Sequence, residues 1–79
     1  MQEDNPHGGL REAVAEILRV EMARRRMTQR ALADATGLSQ SYIGRRMTGE
    51  MPFTTDDLGK IAGVLDMQVS ALIPQGVAA

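Results

Sequence analysis

Residues 28–49, TQRALADATGLSQSYIGRRMTG, punctuate the chain more tightly than any other stretch. Within it Thr28 and Ser39, followed by Gly37 and Gly49, sit at intervals that suit two short helices and little else. Thr28 is placed to cap one helix, in which Gln29, Arg30, Ala31, Leu32, Ala33 and Ala35 follow. Gly37 ends it, because glycine takes the left-handed conformation without a Cβ clash. After Leu38, Ser39 is placed to cap the next helix, which runs from Gln40 to about Met47 and ends at Gly49. The connection is a turn of three or four residues.

The flanking sequence supplies the scaffold. Leu10, Val14, Ile17, Leu18 and Met22 recur at helical spacing and predict a long amphipathic first helix ending near Arg26. Its closing Arg24, Arg25 and Arg26 suit the negative end of a helix dipole. Thr54 is a cap for a fourth helix, with Asp56 and Asp57 in the first turn, where acids are favoured. Leu58, Ile61, Ala62 and Leu65 form its apolar stripe. A break at Asp66 leads to a last short helix with Val69, Leu72 and Ile73 on its apolar side, closed by Pro74. No strand pattern and no internal repeat is present. A capped helix, a glycine turn and a second capped helix within a five-helix chain describe a helix-turn-helix unit.

At 79 residues the chain is one domain, and a chain of that size buries only about 60% of its unfolded surface. Ala, Leu, Ile, Val and Met suit its small helical core, since there is one Tyr, one Phe and no Trp. The lack of cysteine removes disulfides and thiolate metal sites and points to a reducing cytoplasm. No apolar run approaches a membrane span of roughly 18 residues. We expect a flexible tail over 1–9, the helical domain over 10–74 and a frayed end over 75–79.

Charge is segregated. Residues 1–23 carry five acids and two bases, residues 24–48 six bases and one acid, and residues 49–79 four acids and one base. The blocks are therefore net −3, +5 and −3, in a chain whose formal charge is −1. A polyanion is attracted to the middle block and repelled by the ends. The competing reading is a set of solvated helix faces.

The string TQRALADATGLSQSYIGRRMTGE resembles the helix-turn-helix of the Cro/C1 (XRE-like) family of DNA-binding regulators. The residues that carry the resemblance are Gln29, Ala33, Gly37, Ser39, Ile43 and Gly49. IAGVLDMQVSALI is similar to the family's closing helices, and Gln40 to Gly44 are similar to the recognition helix of lambda-type repressors. The resemblance covers roughly residues 10–73. It implies an all-α, five-helix, lambda-repressor-like bundle that binds double-stranded DNA as a homodimer. Two positions depart from it. Met47 stands where the family commonly has Glu, which alters local packing. Arg46 stands where an apolar residue is usual, which puts an extra charge near the DNA backbone or leaves that turn more exposed.

Leu32, Ala33, Leu38 and Ile43 read as structural: they anchor the motif, with Ala33 at the helix crossing. The polar residues of the third helix are the functional candidates. With Ile43 turned inward, Gln40, Ser41, Gly44 and Arg45 lie on its other faces and are the base-contacting set. Gln pairs with adenine N6 and N7, Arg with guanine O6 and N7, and Ser is permissive. Gly44 allows close approach to DNA or room for a thymine methyl; plain packing explains it equally well. The phosphate-contacting set is Gln29, Arg30, Ser39, Tyr42, Arg46 and Thr48, with Arg24, Arg25 and Arg26 as outer candidates. By the resemblance, Met51, Pro52, Phe53 and the last helix are the expected dimer contact.

The rival reading is a protein-interaction module, such as an antitoxin, using Met47, Met51 and Phe53 as an exposed apolar patch. Catalysis has little support: the single histidine, His7, has no cysteine neighbours, and no glycine-rich phosphate loop is present. No metal, cofactor or small-molecule substrate is expected.

Overall fold

The computed structural model describes residues 9–75. The tail expectations for 1–8 and 76–79 lie outside them. Four α-helices and a closing 3-10 turn follow in order: α1, Leu10–Arg24; α2, Gln29–Thr36; α3, Gln40–Met47; α4, Thr55–Leu65; and the turn Val69–Leu72. There is no strand among the described residues. The all-α fold with its helix-turn-helix is as expected; the fifth helix is replaced by the 3-10 turn. The physical reason is length. Pro74 biases Ile73 to extended backbone, φ −104° and ψ 131°, so only four residues are left to coil. Val69, expected on the buried side, is exposed there, while Leu72 is fully buried.

The core is one cluster fed by every element: Val14, Leu18 and Met22 from α1, Leu32 and Ala33 from α2, Ile43 and Met47 from α3, Leu58, Ile61, Ala62 and Leu65 from α4, and Leu72. Burying each large aliphatic side chain contributes about 1.5–3 kcal/mol. Leu10, expected on the apolar stripe of α1, is exposed at the helix start. Met47 is 4% exposed, so it does not join Met51 and Phe53 in an open patch. Where the family commonly carries a Glu, this chain places an apolar side chain in the core that needs no ionic partner.

Helix α1 ends two residues earlier than its arginine run suggested. Arg26 adopts φ 54°, in the left-handed region. The Arg26 N–H then bonds the Ala23 carbonyl at 3.1 Å, and the Met27 N–H bonds that of Met22 at 2.9 Å. These bonds offset the about 1–2 kcal/mol that a non-glycine residue loses in this conformation. Asp66 closes α4 in the same way, at φ 59°. Among the described residues, no helix is long and apolar enough to cross a membrane.

Candidate nucleic-acid interface

The local chemistry of residues 28–49 builds a rigid corner. Thr28 Oγ1 accepts the Ala31 N–H and Ser39 Oγ the Tyr42 N–H, each at 3.0 Å. Gly37, at φ 81°, stops α2. The Thr36 hydroxyl donates to the Leu32 carbonyl at 2.8 Å and accepts the Leu38 N–H at 3.3 Å, so the turn is held from inside. Leu38 packs against the core, and Ile43 is wholly buried. This much follows from caps, glycines and apolar spacing.

Two cations of α1 fasten the far end of α3 and the loop that follows it. Arg19 Nη2 donates to the Met47 carbonyl at 2.9 Å, and Arg11 Nη1 to the Glu50 carbonyl at 3.0 Å. Carbonyls at a helix C-terminus have no intrahelical partner, and charged donors satisfy them well. After α3 the chain folds back over residue 45. The Arg45 carbonyl accepts the Glu50 N–H at 3.1 Å and the Thr48 hydroxyl at 2.8 Å. The backbone under Arg45 is thereby pinned while its side chain stays exposed.

The expected base-contacting residues share one accessible region of α3. Gln40, Ser41 and Arg45 are exposed, and Gly44 is half-buried. A Cβ added at Gly44 would lie 3.7 Å from Gln29 Oε1, an ordinary contact, so the glycine is not forced by packing. Of the expected phosphate contacts, Gln29, Arg30 and Ser39 are exposed at or near helix starts. Ser39 uses an oxygen lone pair for its cap, which leaves its hydroxyl proton to donate. Thr48 is exposed but already donates to the Arg45 carbonyl.

Tyr42 and Arg46 are placed differently. The Tyr42 hydroxyl donates to Asp57 Oδ2 at 2.8 Å. The Arg46 guanidinium carbon lies 3.4 Å from the Tyr42 ring centroid, and its Nη1 donates to the Tyr42 carbonyl at 3.0 Å. Such cation–π stacking is worth about 0.5–2 kcal/mol. Arg46 Nε stands 3.9 Å from Asp57 Oδ2 and has no hydrogen-bond partner among the described residues. The Arg46 side chain is only 11% exposed. The expectation that this turn is more open than usual is therefore corrected: the guanidinium finds a π-face and a carboxylate beside it and folds inward.

Asp57 is the residue that sequence reasoning undervalued. Placed in the first turn of α4 for its dipole, it is also the one buried charged side chain among the described residues. It completes a capping box: its Oδ2 accepts the Thr54 N–H at 2.9 Å and its own N–H bonds Thr54 Oγ1 at 3.0 Å. Burial alone would push its carboxyl up; the Thr54 backbone N–H, the Tyr42 and Thr54 hydroxyls and the Arg46 charge outweigh burial and hold it below the ordinary value. The same hydrogen bond to Asp57, with burial, raises the Tyr42 phenol. The spacing of Thr54 and Asp57 signalled the box; nothing in the linear pattern signalled Tyr42.

The arginine triplet divides too. Arg25 pairs with Glu21 Oε1 at 2.7 Å and Arg24 with Glu21 Oε2 at 3.4 Å. Arg26, Arg30 and Arg45 make no ion pair among the described residues. A groove of about 670 Å³ is lined by Leu10, Val14, Pro52, Phe53, Leu58 and Ile73, among others. Met51 beside it is exposed.

The geometry has known counterparts. The helix-turn-helix family HTH_3 matches residues 18–72, more than half the chain. The clp gene regulator ClgR of Corynebacterium glutamicum is 28% identical, with 86% of each chain covered and a TM-score of 0.77. The restriction-modification controller protein C.AhdI of Aeromonas hydrophila is 26% identical over 78% of this chain and 94% of its own, with a TM-score of 0.75. The FeII form of HppE is 30% identical over 84% of this chain but only 35% of its own, with a TM-score of 0.75. No curated protein sequence matches. The chain belongs to the helix-turn-helix family and is a DNA-binding regulator domain of the Cro/C1 (XRE-like) type.

Proposed function

We propose that the chain is a sequence-specific double-stranded DNA-binding transcriptional regulator, a repressor of phage or bacterial type working in the cytoplasm. In this reading α3 enters the major groove, with Gln40, Ser41, Gly44 and Arg45 against base edges. Gln29, Arg30, Ser39 and, once its hydroxyl turns from the Arg45 carbonyl, Thr48 hold phosphates, which set position rather than sequence preference. The observation that carries the reading is α3 itself. It is fastened at both ends and through its buried face, yet it leaves Gln40, Ser41 and Arg45 exposed, and Arg45 makes no ion pair among the described residues. ClgR is described as a gene regulator and C.AhdI as a controller protein, which supports the same role here.

A homodimer places two copies of α3 about 34 Å apart, on successive major grooves of a near-palindromic site. We place its contact at Met51, Pro52 and Phe53, beside the apolar groove that Leu10 and Ile73 also line. That groove also supports a second reading, a protein-interaction module of antitoxin type. A salt titration of binding to mixed-sequence duplex separates the two. DNA binding weakens steeply, with a slope of about −0.9 per phosphate neutralised. Capture of a protein through the groove is nearly insensitive to salt, and absence of any duplex complex at low salt rejects the DNA reading.

A further inference from the structure

Helix α3 packs closely against α1 and α2, whereas its connection to α4 runs through long side chains. Tyr42 and Arg46 lie one turn apart on α3 and meet Asp57 in the first turn of α4. We propose that Tyr42, Arg46 and Asp57 are positioning residues for DNA binding: they set the tilt of α3 against α4, and Arg46 neutralises no phosphate. The proposal rests on the DNA-binding reading above and replaces the phosphate roles first expected for Tyr42 and Arg46.

Three observations carry it. Asp57 Oδ2 holds α4's own cap through the Thr54 N–H and α3's ring through the Tyr42 hydroxyl, so one oxygen atom joins the start of α4 to the reading helix. Arg46 lies flat on that ring and bonds the Tyr42 carbonyl, so ring and guanidinium hold one another in place. For Arg46 to reach a phosphate it must leave the ring, give up the Tyr42 carbonyl and strand a buried carboxylate without its nearest cation. Arg45, next along the helix, meets no such obstacle and is exposed.

The role has an unusual sign. Asp57 is an anion on the element next to the reading helix. By charge alone, removing it raises affinity for DNA; if it positions α3, removing it lowers affinity.

The test uses the full chain and a duplex selected by it, titrated across a salt series at a temperature where circular dichroism shows each variant folded. Tyr42→Phe keeps the ring and loses only the bond to Asp57. Arg46→Gln removes the cation, and Asp57→Ala removes the shared acceptor. Each is expected to lower affinity about five- to tenfold with the salt slope unchanged. The double variant Tyr42→Phe/Asp57→Ala is expected to bind no worse than Asp57→Ala alone, because both act through one bond. The inference is overturned if Arg46→Gln makes the slope shallower by about 0.9, the mark of a lost phosphate contact. It is equally overturned if Asp57→Ala binds as well as or better than the parent, or if the two losses add. Should Asp57→Ala fail to fold, Tyr42→Phe and Arg46→Gln still decide the matter through affinity and slope. A parent chain that binds no duplex at low salt overturns this inference and the DNA reading together; a parent that binds while the variants misbehave overturns only this one.

Discussion

Arg45 and Arg46 are neighbours on one short helix and meet opposite surroundings. Arg45 is exposed above a backbone carbonyl pinned by the returning loop. Arg46 lies on the Tyr42 ring, 89% of its side chain withdrawn from solvent, with the Asp57 carboxylate close by. About 100° of helix rotation separates them, and it turns one cation outward and the other into the fold. A count of local positive charge treats the two as equal. What matters to a polyanion is which cations are still unpaired after folding, and among the described residues that set within 24–48 is nearer Arg26, Arg30 and Arg45 than the full run of six.

The contrast between the inward and outward faces of α3 predicts different kinds of damage. The largest effect is on the inward face. Ile43→Ala empties a fully buried site and is expected to destabilise the fold by about 2–5 kcal/mol, read by thermal or denaturant unfolding. On the outward face, Arg45→Ala should leave unfolding within about 0.5 kcal/mol of the parent. It should instead remove about 1–3 kcal/mol of discrimination at one base pair, measured by competition between duplexes that differ there. A large loss of stability in Arg45→Ala would break the division between the faces.

Asp57 sharpens the comparison through pH. Asp57→Ala removes charge-assisted hydrogen bonds and is expected to cost about 1.5–3 kcal/mol near neutrality. Because the folded-state value is lowered, the Asp57 contribution is fully present above the ordinary carboxylate value of 3.8 and is lost as pH falls through the lower folded-state value. Melting curves of parent and variant should therefore converge in acid below pH 3.8. A constant gap at every pH contradicts the ionised cluster. The smallest effect is at Gly44, where a Cβ has room. Gly44→Ala should stabilise the protein by up to about 1 kcal/mol. If its DNA affinity falls at the same time, the glycine serves the groove rather than the fold.

Much of this architecture can be read along the chain because it depends on local chemistry. Thr28, Ser39 and Thr54 mark helix starts through a hydroxyl that accepts a backbone N–H three residues on. Gly37 marks a stop through its left-handed φ. Leu18, Leu32, Ile43 and Ile61 fall on buried faces by periodicity alone. The helix ends depend on more than local residue type. Arg26 occupies a left-handed position with no glycine to announce it, because two returning N–H bonds compensate the strain. The fold of Arg46 onto Tyr42 was not readable in advance, since it depends on Asp57 arriving from a helix that is adjacent in space but eleven residues away in sequence. For the same reason the carbonyl clasps of Arg11 and Arg19, which join α1 to the end of α3, left no trace in a charge count.

Selection of bound sites from a random duplex pool, run in parallel for the parent chain and Arg45→Ala, tests the central claim most directly. The account predicts that the parent enriches two related half-sites about one helical turn apart, and that Arg45→Ala enriches the same spacing with base preference relaxed at one position in each half. Recovery of the parental base profile by Arg45→Ala, or no enrichment by the parent at low salt, would contradict it.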